Sequence, residues 1–265
     1  MSTAVTIPRS QLGDRVNGLT SISLQELNEV AALQTRVDRK YILTDFELIE
    51  MVDSLAPRLS TLDIDGNRSF TYQSVYFDTP ELDCFRAAAH RRRRRFKVRT
   101  RTYCDAASTM LEVKTKGGRK VTVKQRQPHR YEDRGDLDPA GRAFIVGAAD
   151  CTPTVARSLI PVLITRYRRA TLVDLDDIAR LTIDADLLSR DRHGCSLSLQ
   201  NHYIIETKTA GPPSAADRWL WANGRRPEKV SKFGTSLAAL NPGLPANKWH
   251  RTVNRYFRPN IDGTV

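Results

Sequence analysis

The sequence predicts an α+β fold: an antiparallel β-barrel tunnel with a charged lumen and helices packed outside. Three observations lead there. Many short β-like runs follow one another through the middle of the chain. Helical periodicity lies mainly near the two ends. Strand after strand carries charge on one face and apolar residues on the other.

In chain order, residues 1–20 are polar and unpatterned, and a disordered tail is expected there. Ser23-x-x-Glu26 is a capping box leading into Leu24, Leu27, Val30 and Ala31, the pattern of a first helix. Thr44-x-x-Glu47 is a second, followed by Phe46, Ile49, Val52 and Leu55 at helical spacing. Strands are predicted over 38–43, 71–77, 96–103, 110–115, 121–126, 163–172, 180–185 and 202–209. Lys116-Gly117-Gly118-Arg119 between two of them is a hairpin signal. Pro213, Ala216, Trp219 and Leu220 suggest a helix closed by Gly224, and two more helices are predicted over 231–240 and 248–257. No internal repeat or long linker divides the chain, so one domain over 21–258 is expected, with 259–265 as a C-terminal tail.

The chain has 265 residues, of which 40% are hydrophobic and 27% charged, too apolar for wholesale disorder. Its longest apolar stretch, residues 159–164, contains Pro161 and falls far short of the roughly 20 residues of a membrane span. No secretory signal pattern is present, and a cytoplasmic protein is expected. Cys84, Cys104, Cys151 and Cys195 are widely spread and read as reduced structural thiols. His90, His129, His193, His202 and His250 show no zinc spacing. The signatures of serine hydrolases, Rossmann folds and P-loops are absent. The net charge of +12 points to a polyanionic partner.

Residues two apart on a strand share a face. Lys97, Arg99, Arg101 and Tyr103 therefore line up, as do Glu112 with Lys114, and Thr122 with Lys124 and Arg126 opposite Val121 and Val123. Arg166 pairs with Arg168, Arg180 with Asp184, Glu206 with Lys208, and Arg36 with Asp38 and Lys40. A half-exposed sheet would explain any one of these strands. On an open, solvated sheet so many cations of one sign would repel each other, whereas a closed barrel around an anionic ligand reconciles them. Arg forks and Lys point charges suit a chain of phosphates. A minority of carboxylates suits Mg²⁺ or Mn²⁺ held together with phosphate oxygens. These are the ingredients of metal-assisted phosphoryl transfer.

Eight stretches then match a family. They are Arg36-Val-Asp38-Arg-Lys40-Tyr41, Tyr76-Phe-Asp78-Thr, Arg99-Thr-Arg101-Thr-Tyr103, Leu111-Glu112-Val-Lys114-Thr, Tyr167-Arg168-Arg169-Ala170, Arg180-Leu-Thr-Ile-Asp184, Ile205-Glu206-Thr-Lys208 and Val230-Ser231-Lys232-Phe233. In this order the chain resembles the VTC domain (vacuolar transporter chaperone, the catalytic polyphosphate polymerase module) of the triphosphate tunnel metalloenzyme superfamily. The resemblance implies a tunnel that binds ATP and a divalent metal and passes the γ-phosphate to a growing polyphosphate. By the same resemblance, Lys40, Arg99, Arg101, Lys114, Arg166 and Arg180 would form the catalytic set. Lys97, Lys124, Arg126, Arg168 and Lys208 would bind substrate phosphates, and so would Lys229 and Lys232 at the tunnel mouth. Glu206, with Glu112 and Asp38, would hold Mn²⁺ or Mg²⁺, Asp38 standing where the wider superfamily usually has Glu.

The expected partners are ATP and polyphosphate, with no nucleic acid and no membrane span, and with export or storage left to an unidentified membrane or storage partner. A triphosphatase on the same tunnel is the alternative, with Asp38 or Glu112 orienting water. A non-catalytic polyphosphate-binding module is a third reading. Arginines 91–95 admit a solvated basic face, a nucleic-acid patch, or, as preferred here, a funnel for long polyphosphate.

Overall fold

The computed structural model describes residues 12–30, 37–116 and 122–257. Elements run in the order α1 (Leu12–Asn17), β1 (Thr20–Ile22), α2 (Leu24–Val30), β2 (Val37–Thr44), α3 (Asp45–Leu55), β3 (Leu59–Leu62), β4 (Phe70–Asp78), α4 (Asp83–Ala89), β5 (Arg95–Tyr103), β6 (Ser108–Lys116) and β7 (Thr122–His129). There follow α5 (Pro139–Ala149), α6 (Pro153–Ser158), β8 (Ile160–Asp174), β9 (Ala179–Asp191), β10 (Ser196–Ser198), β11 (His202–Thr209), α7 (Ala215–Ala222), α8 (Lys232–Leu240) and α9 (His250–Tyr256). The expected glycine turn at 117–119, Ala31, Arg36, Val121 and the tails 1–11 and 258–265 lie outside the described residues.

The fold is mixed α/β around one large antiparallel sheet, ordered β2-β11-β9-β8-β4-β5-β6-β7. β10 adds to β9, β3 to β8, and β1 runs parallel to β3. Among the described residues β2 and β7 are the two ends of this path, so hydrogen bonding does not close the sheet into the barrel that the sequence predicts. The sequence of β7 supplies the reason. Pro128 has no N–H to give a further strand, and Lys124 and Arg126 are exposed, both features of an edge. Val123 is exposed as well, so the apolar face expected on this strand is uncovered.

The described contacts fall into two units, the first built from residues up to 70 with 167–187 and 199–228. Its core is the apolar face of four strands: Tyr41 and Leu43 on β2, Ile205 on β11, Leu181 and Ile183 on β9, and Ala170 and Leu172 on β8. Leu48, Met51 and Val52 of α3 and Leu220 of α7 pack against them. Both capping boxes form: Ser23 and Glu26 exchange bonds of 2.9 and 3.2 Å at α2, and Thr44 and Glu47 do the same at α3. α7 is anchored by buried Asp217, whose carboxylate accepts from the Tyr41 and Thr207 hydroxyls, each at 2.7 Å, and from the Ser214 N–H at 2.9 Å. Residues 12–17, expected within a disordered tail, are helix α1, because Leu12 and Val16 bury completely in this core.

The second unit comprises 71–166, 188–198 and the residues from 229 onward. Val75, Phe77, Val98, Leu111 and Val113 form its sheet core against Ile145 of α5 and Ala156 of α6. α4 and α6 escape the periodicity argument because they are short, and α5 because alanines and glycines blur its apolar stripe. Their start signals are nonetheless legible: Asp138 and Thr152 cap α5 and α6, each followed by Pro at the first helical position. Asp78 explains one of the eight matching stretches by folding alone. Its buried carboxylate accepts the N–H groups of Thr79, Cys84 and Phe85, each at 2.8 Å, and so starts α4. A second cluster joins Tyr76, Phe85, Phe233 and Trp249, with Tyr76 stacked on Phe233 at 5.1 Å.

No helix among the described residues is long and apolar enough to cross a membrane. All four cysteines are free thiols. Among the described glycines Gly234 is the most closely packed, since a Cβ there would lie 2.2 Å from the Trp249 ring. Gly234→Ala is expected to lower stability by about 1–3 kcal/mol in urea unfolding. An unchanged midpoint would contradict this packing.

Candidate functional site: two basic strand faces

Each unit carries its own charged face, and in both the register places the residues directly opposite one another. In the first unit Asp38 of β2 sits opposite Lys208 of β11, which sits opposite Arg180 of β9. One step along, Lys40 is opposite Glu206, and Glu206 opposite Thr182. The Lys40 ammonium lies 2.5 Å from the Glu206 carboxylate and that of Lys208 lies 3.6 Å away. Burial pushes Glu206 up, but Lys40, Lys208 and Arg169 outweigh it and hold the carboxyl well below the usual range. Burial pulls Lys208 down to about 8, against the opposing pull of Glu206.

Arg169 is the residue that strand periodicity alone missed in this face. Its guanidinium grips Asp184 of β9 through two bonds of 2.5 and 2.8 Å. Because neighbours on a strand point to opposite faces, Arg168 lies on the other side of β8. The expected pairing of Arg166 with Arg168 on a phosphate-binding face is therefore corrected to Arg169 in this unit. The clue was present in the fixed partner: Asp184 needed a fork on its own face. Arg180 reaches α2, donating to the Leu27 carbonyl and the Asn28 side chain at 3.3 Å each.

In the second unit the rows cross four strands. Tyr76 of β4 is opposite Arg99 of β5, then Glu112 of β6 and Arg126 of β7. The next row along is Lys97, Lys114 and Lys124, three like charges side by side, and beyond it Arg95 faces Lys116. On the other flank Ser74 is opposite Arg101. Arg99 donates to Glu112 at 2.6 and 2.8 Å and to the Tyr76 hydroxyl at 3.2 Å, and Lys124 also pairs with Glu112. Burial pushes Glu112 up, but Arg99, Arg101 and Lys124 hold it far below the usual carboxylate range. The opposite faces of β5 and β6 hold buried Val98, Thr100, Leu111 and Val113, as the alternation requires.

Lys97 reaches α8 as well. Its ammonium donates to the Ser231 hydroxyl at 3.0 Å and lies 5.3 Å from the Phe233 ring centre. Burial, then Lys248, Lys114, Arg99 and Arg95, bring it down to about 7. Ser231 and Phe233 thus give the Ser-Lys-Phe stretch a role, while Lys232 begins α8 half-buried and Lys229 is exposed. Arg166 is exposed on β8. Tyr72 and Tyr76, which charge patterning could not reveal, lie under Arg101 and Arg99 at 5.7 and 5.8 Å.

Among the described residues no three His, Cys, Asp or Glu side chains gather to hold a metal. What they offer instead is single ionised carboxylates, Glu206 and Glu112, each amid cations. That donor set fits a divalent ion bound chiefly through phosphate oxygens with one or two protein carboxylates, and it does not fit an all-protein cage.

The comparisons with known proteins follow this chemistry. The sequence model of the VTC domain matches residues 35–241. No curated protein sequence matches the chain. Among solved structures, a Hippeastrum protein described as an adenylyl cyclase with a dominant triphosphatase activity is 15% identical, with a TM-score of 0.49 over 81% of this chain and 100% of that one. A Vibrio parahaemolyticus protein described as an adenylate cyclase is 11% identical, with a TM-score of 0.38 over 72% and 82%. A Pyrococcus horikoshii protein is 13% identical, with a TM-score of 0.40 over 74% and 91%. The VTC match covers most of the chain, runs through both basic faces and includes every one of the eight stretches: the protein belongs to the VTC domain family.

Proposed function

We propose that this protein is a metal-dependent polyphosphate polymerase that transfers the γ-phosphate of ATP to the end of a polyphosphate chain. The observation that carries the reading is the length of the basic row. From Arg95 to Arg101 the cations of β5 repeat on one face over about 20 Å, at roughly 3.3 Å per residue, which is longer than one triphosphate. Lys40 and Arg180 in the first unit, and Arg99, Arg101 and Lys114 in the second, would neutralise phosphates, whereas Arg166 shares its side of β8 with Arg168. Lys97, Lys124, Arg126, Lys229 and Lys232 of the second unit would hold further phosphates, as Lys208 would in the first, where Arg169 takes the place expected for Arg168.

The transfer breaks the bond between the γ-phosphorus and its bridging oxygen and makes one to a terminal oxygen of the acceptor chain, releasing ADP. That terminal oxygen is already an anion, so no general base is required. The protein's part is positioning and charge stabilisation. Glu206 with Asp38 in the first unit, or Glu112 in the second, would hold Mn²⁺ or Mg²⁺, which when bound would neutralise charge on the transferring phosphates. Hydrolysis on the same residues would need an ordered water, with Asp38 or Glu112 as its nearest carboxylates.

Purified protein supplied with ATP and Mn²⁺ or Mg²⁺ is expected to give ADP and a polyphosphate ladder on a stained gel. Free phosphate without a ladder would replace the polymerase by a triphosphatase, and no turnover would leave a binding module. Glu206→Gln should cut turnover about 100-fold or more while tripolyphosphate binding persists. Full activity in that variant would refute the metal assignment.

Phosphate binding should also be coupled to protons. Lys97, faced by Lys248, Lys114, Arg99, Arg95 and the Ser231 hydroxyl, is mostly neutral above pH 7 in the free protein. A bound polyanion favours its charged form and raises its value towards the ordinary one. Proton uptake is therefore expected on binding at pH 8, and affinity should fall as pH rises above about 7. Calorimetry of tripolyphosphate in two buffers of different ionisation enthalpy reads this directly, and an identical heat in both would contradict it.

A further inference from the structure

Arginines 91–95 are not absorbed by the reaction, and their placement is specific. α4 ends with the Arg92 N–H donating to the Ala87 carbonyl at 2.9 Å and the Arg91 N–H to that of Ala88 at 3.4 Å. These two bonds make a Schellman ending, whose left-handed position usually belongs to glycine. Arg91 occupies it with φ of 56°. Glycine would suit this position, as it would the other positive-φ positions such as Leu82 and Ala107, so replacing Arg91 by Gly should leave the turn intact.

Arg91, Arg92, Arg93 and Arg94 are exposed, whereas Arg95 and Lys248 turn back towards the end of α4. Arg95 starts β5 opposite Lys116 and donates to the Arg92 carbonyl. Lys248 folds back to donate to the Ala88 carbonyl at 2.6 Å and sits 4.6 Å from the Trp249 ring centre. Burial, then Arg95, Arg91, Lys116 and Lys229, bring its ammonium down to about 8. A solvated basic face would leave such a lysine near its ordinary value. Nucleic acid fits poorly, because base stacking needs exposed rings. The rings beside these lysines, Phe233 and Trp249, are each only 2% exposed.

We propose that Arg91, Lys116 and Lys248, around the end of the β5 row at Arg95, form a second polyanion site, which holds the already-made part of a polyphosphate chain beyond the phosphates that react. This rests on the reading of polyphosphate as the product. A chain held at both places stays at high effective concentration near the reacting residues, which favours long products.

The test compares long-chain polyphosphate with tripolyphosphate in direct binding to the full chain, without turnover. In Arg91→Gly/Lys116→Gln, long-chain affinity should fall about tenfold or more and its log–log salt slope by about 1–2. Tripolyphosphate affinity should stay within about twofold. Arg91→Gly alone suits the turn, and should show a smaller loss for the long chain only. Equal loss of both ligands, no loss, or no long-chain binding by the unaltered protein would each overturn the proposal. So would single-stranded RNA of matching charge binding as tightly as polyphosphate and weakening by the same factor. The gel assay decides the polymerase reading separately. A ladder with no selective long-chain loss sinks only the second site, whereas selective loss without a ladder sinks only the polymerase.

Discussion

Like charges set directly opposite one another on neighbouring strands are the constraint to which the rest of this protein is fitted. Lys97, Lys114 and Lys124 share one row and Arg95 faces Lys116 in the next. Such pairs destabilise a sheet. They persist because the other face of the same strands is committed to a core: Val98, Leu111 and Val113 are fully buried. A slip of one residue would relieve the repulsion only by turning that core into water and the cations into the interior. Burial thus fixes the register, and the register fixes the charges.

Two carboxylates make the arrangement tolerable without a ligand. Glu112 takes Arg99 and Lys124, and Glu206 takes Lys40 and Lys208. Each stays ionised despite burial, since its cations outweigh the cost of losing water. Burial first, and neighbouring cations after it, hold Lys97 and Lys208 near 7 and 8. A protein selected only for stability would replace some of these cations. One that binds a chain of phosphates needs them poised and underpaired.

Much of this was legible in the sequence, for identifiable reasons. Period-2 alternation named eight of the strands, and the capping boxes at Ser23 and Thr44 located α2 and α3, because both signals are local. Closure was not legible: whether β2 meets β7 depends on the sheet's edges, and Pro128 was the residue that spoke to it. The choice between Arg168 and Arg169 failed similarly. Adjacent arginines satisfy either parity, and only the partner Asp184 on β9 decides. Charge patterning could not single out Tyr72, Tyr76 and Ser231, which carry no charge, nor Lys248, which comes from a separate segment. Helix α1 was missed because six residues are too few to show a period.

The central claim is that the basic faces are strained without an anion and relieved by a phosphate chain. Thermal unfolding with saturating tripolyphosphate, compared with sodium chloride at equal ionic strength, tests it most directly. Specific binding predicts that tripolyphosphate raises the midpoint by roughly 5–10 °C beyond the effect of salt. Equal shifts in both would mean that the charges are merely screened, and would contradict the account.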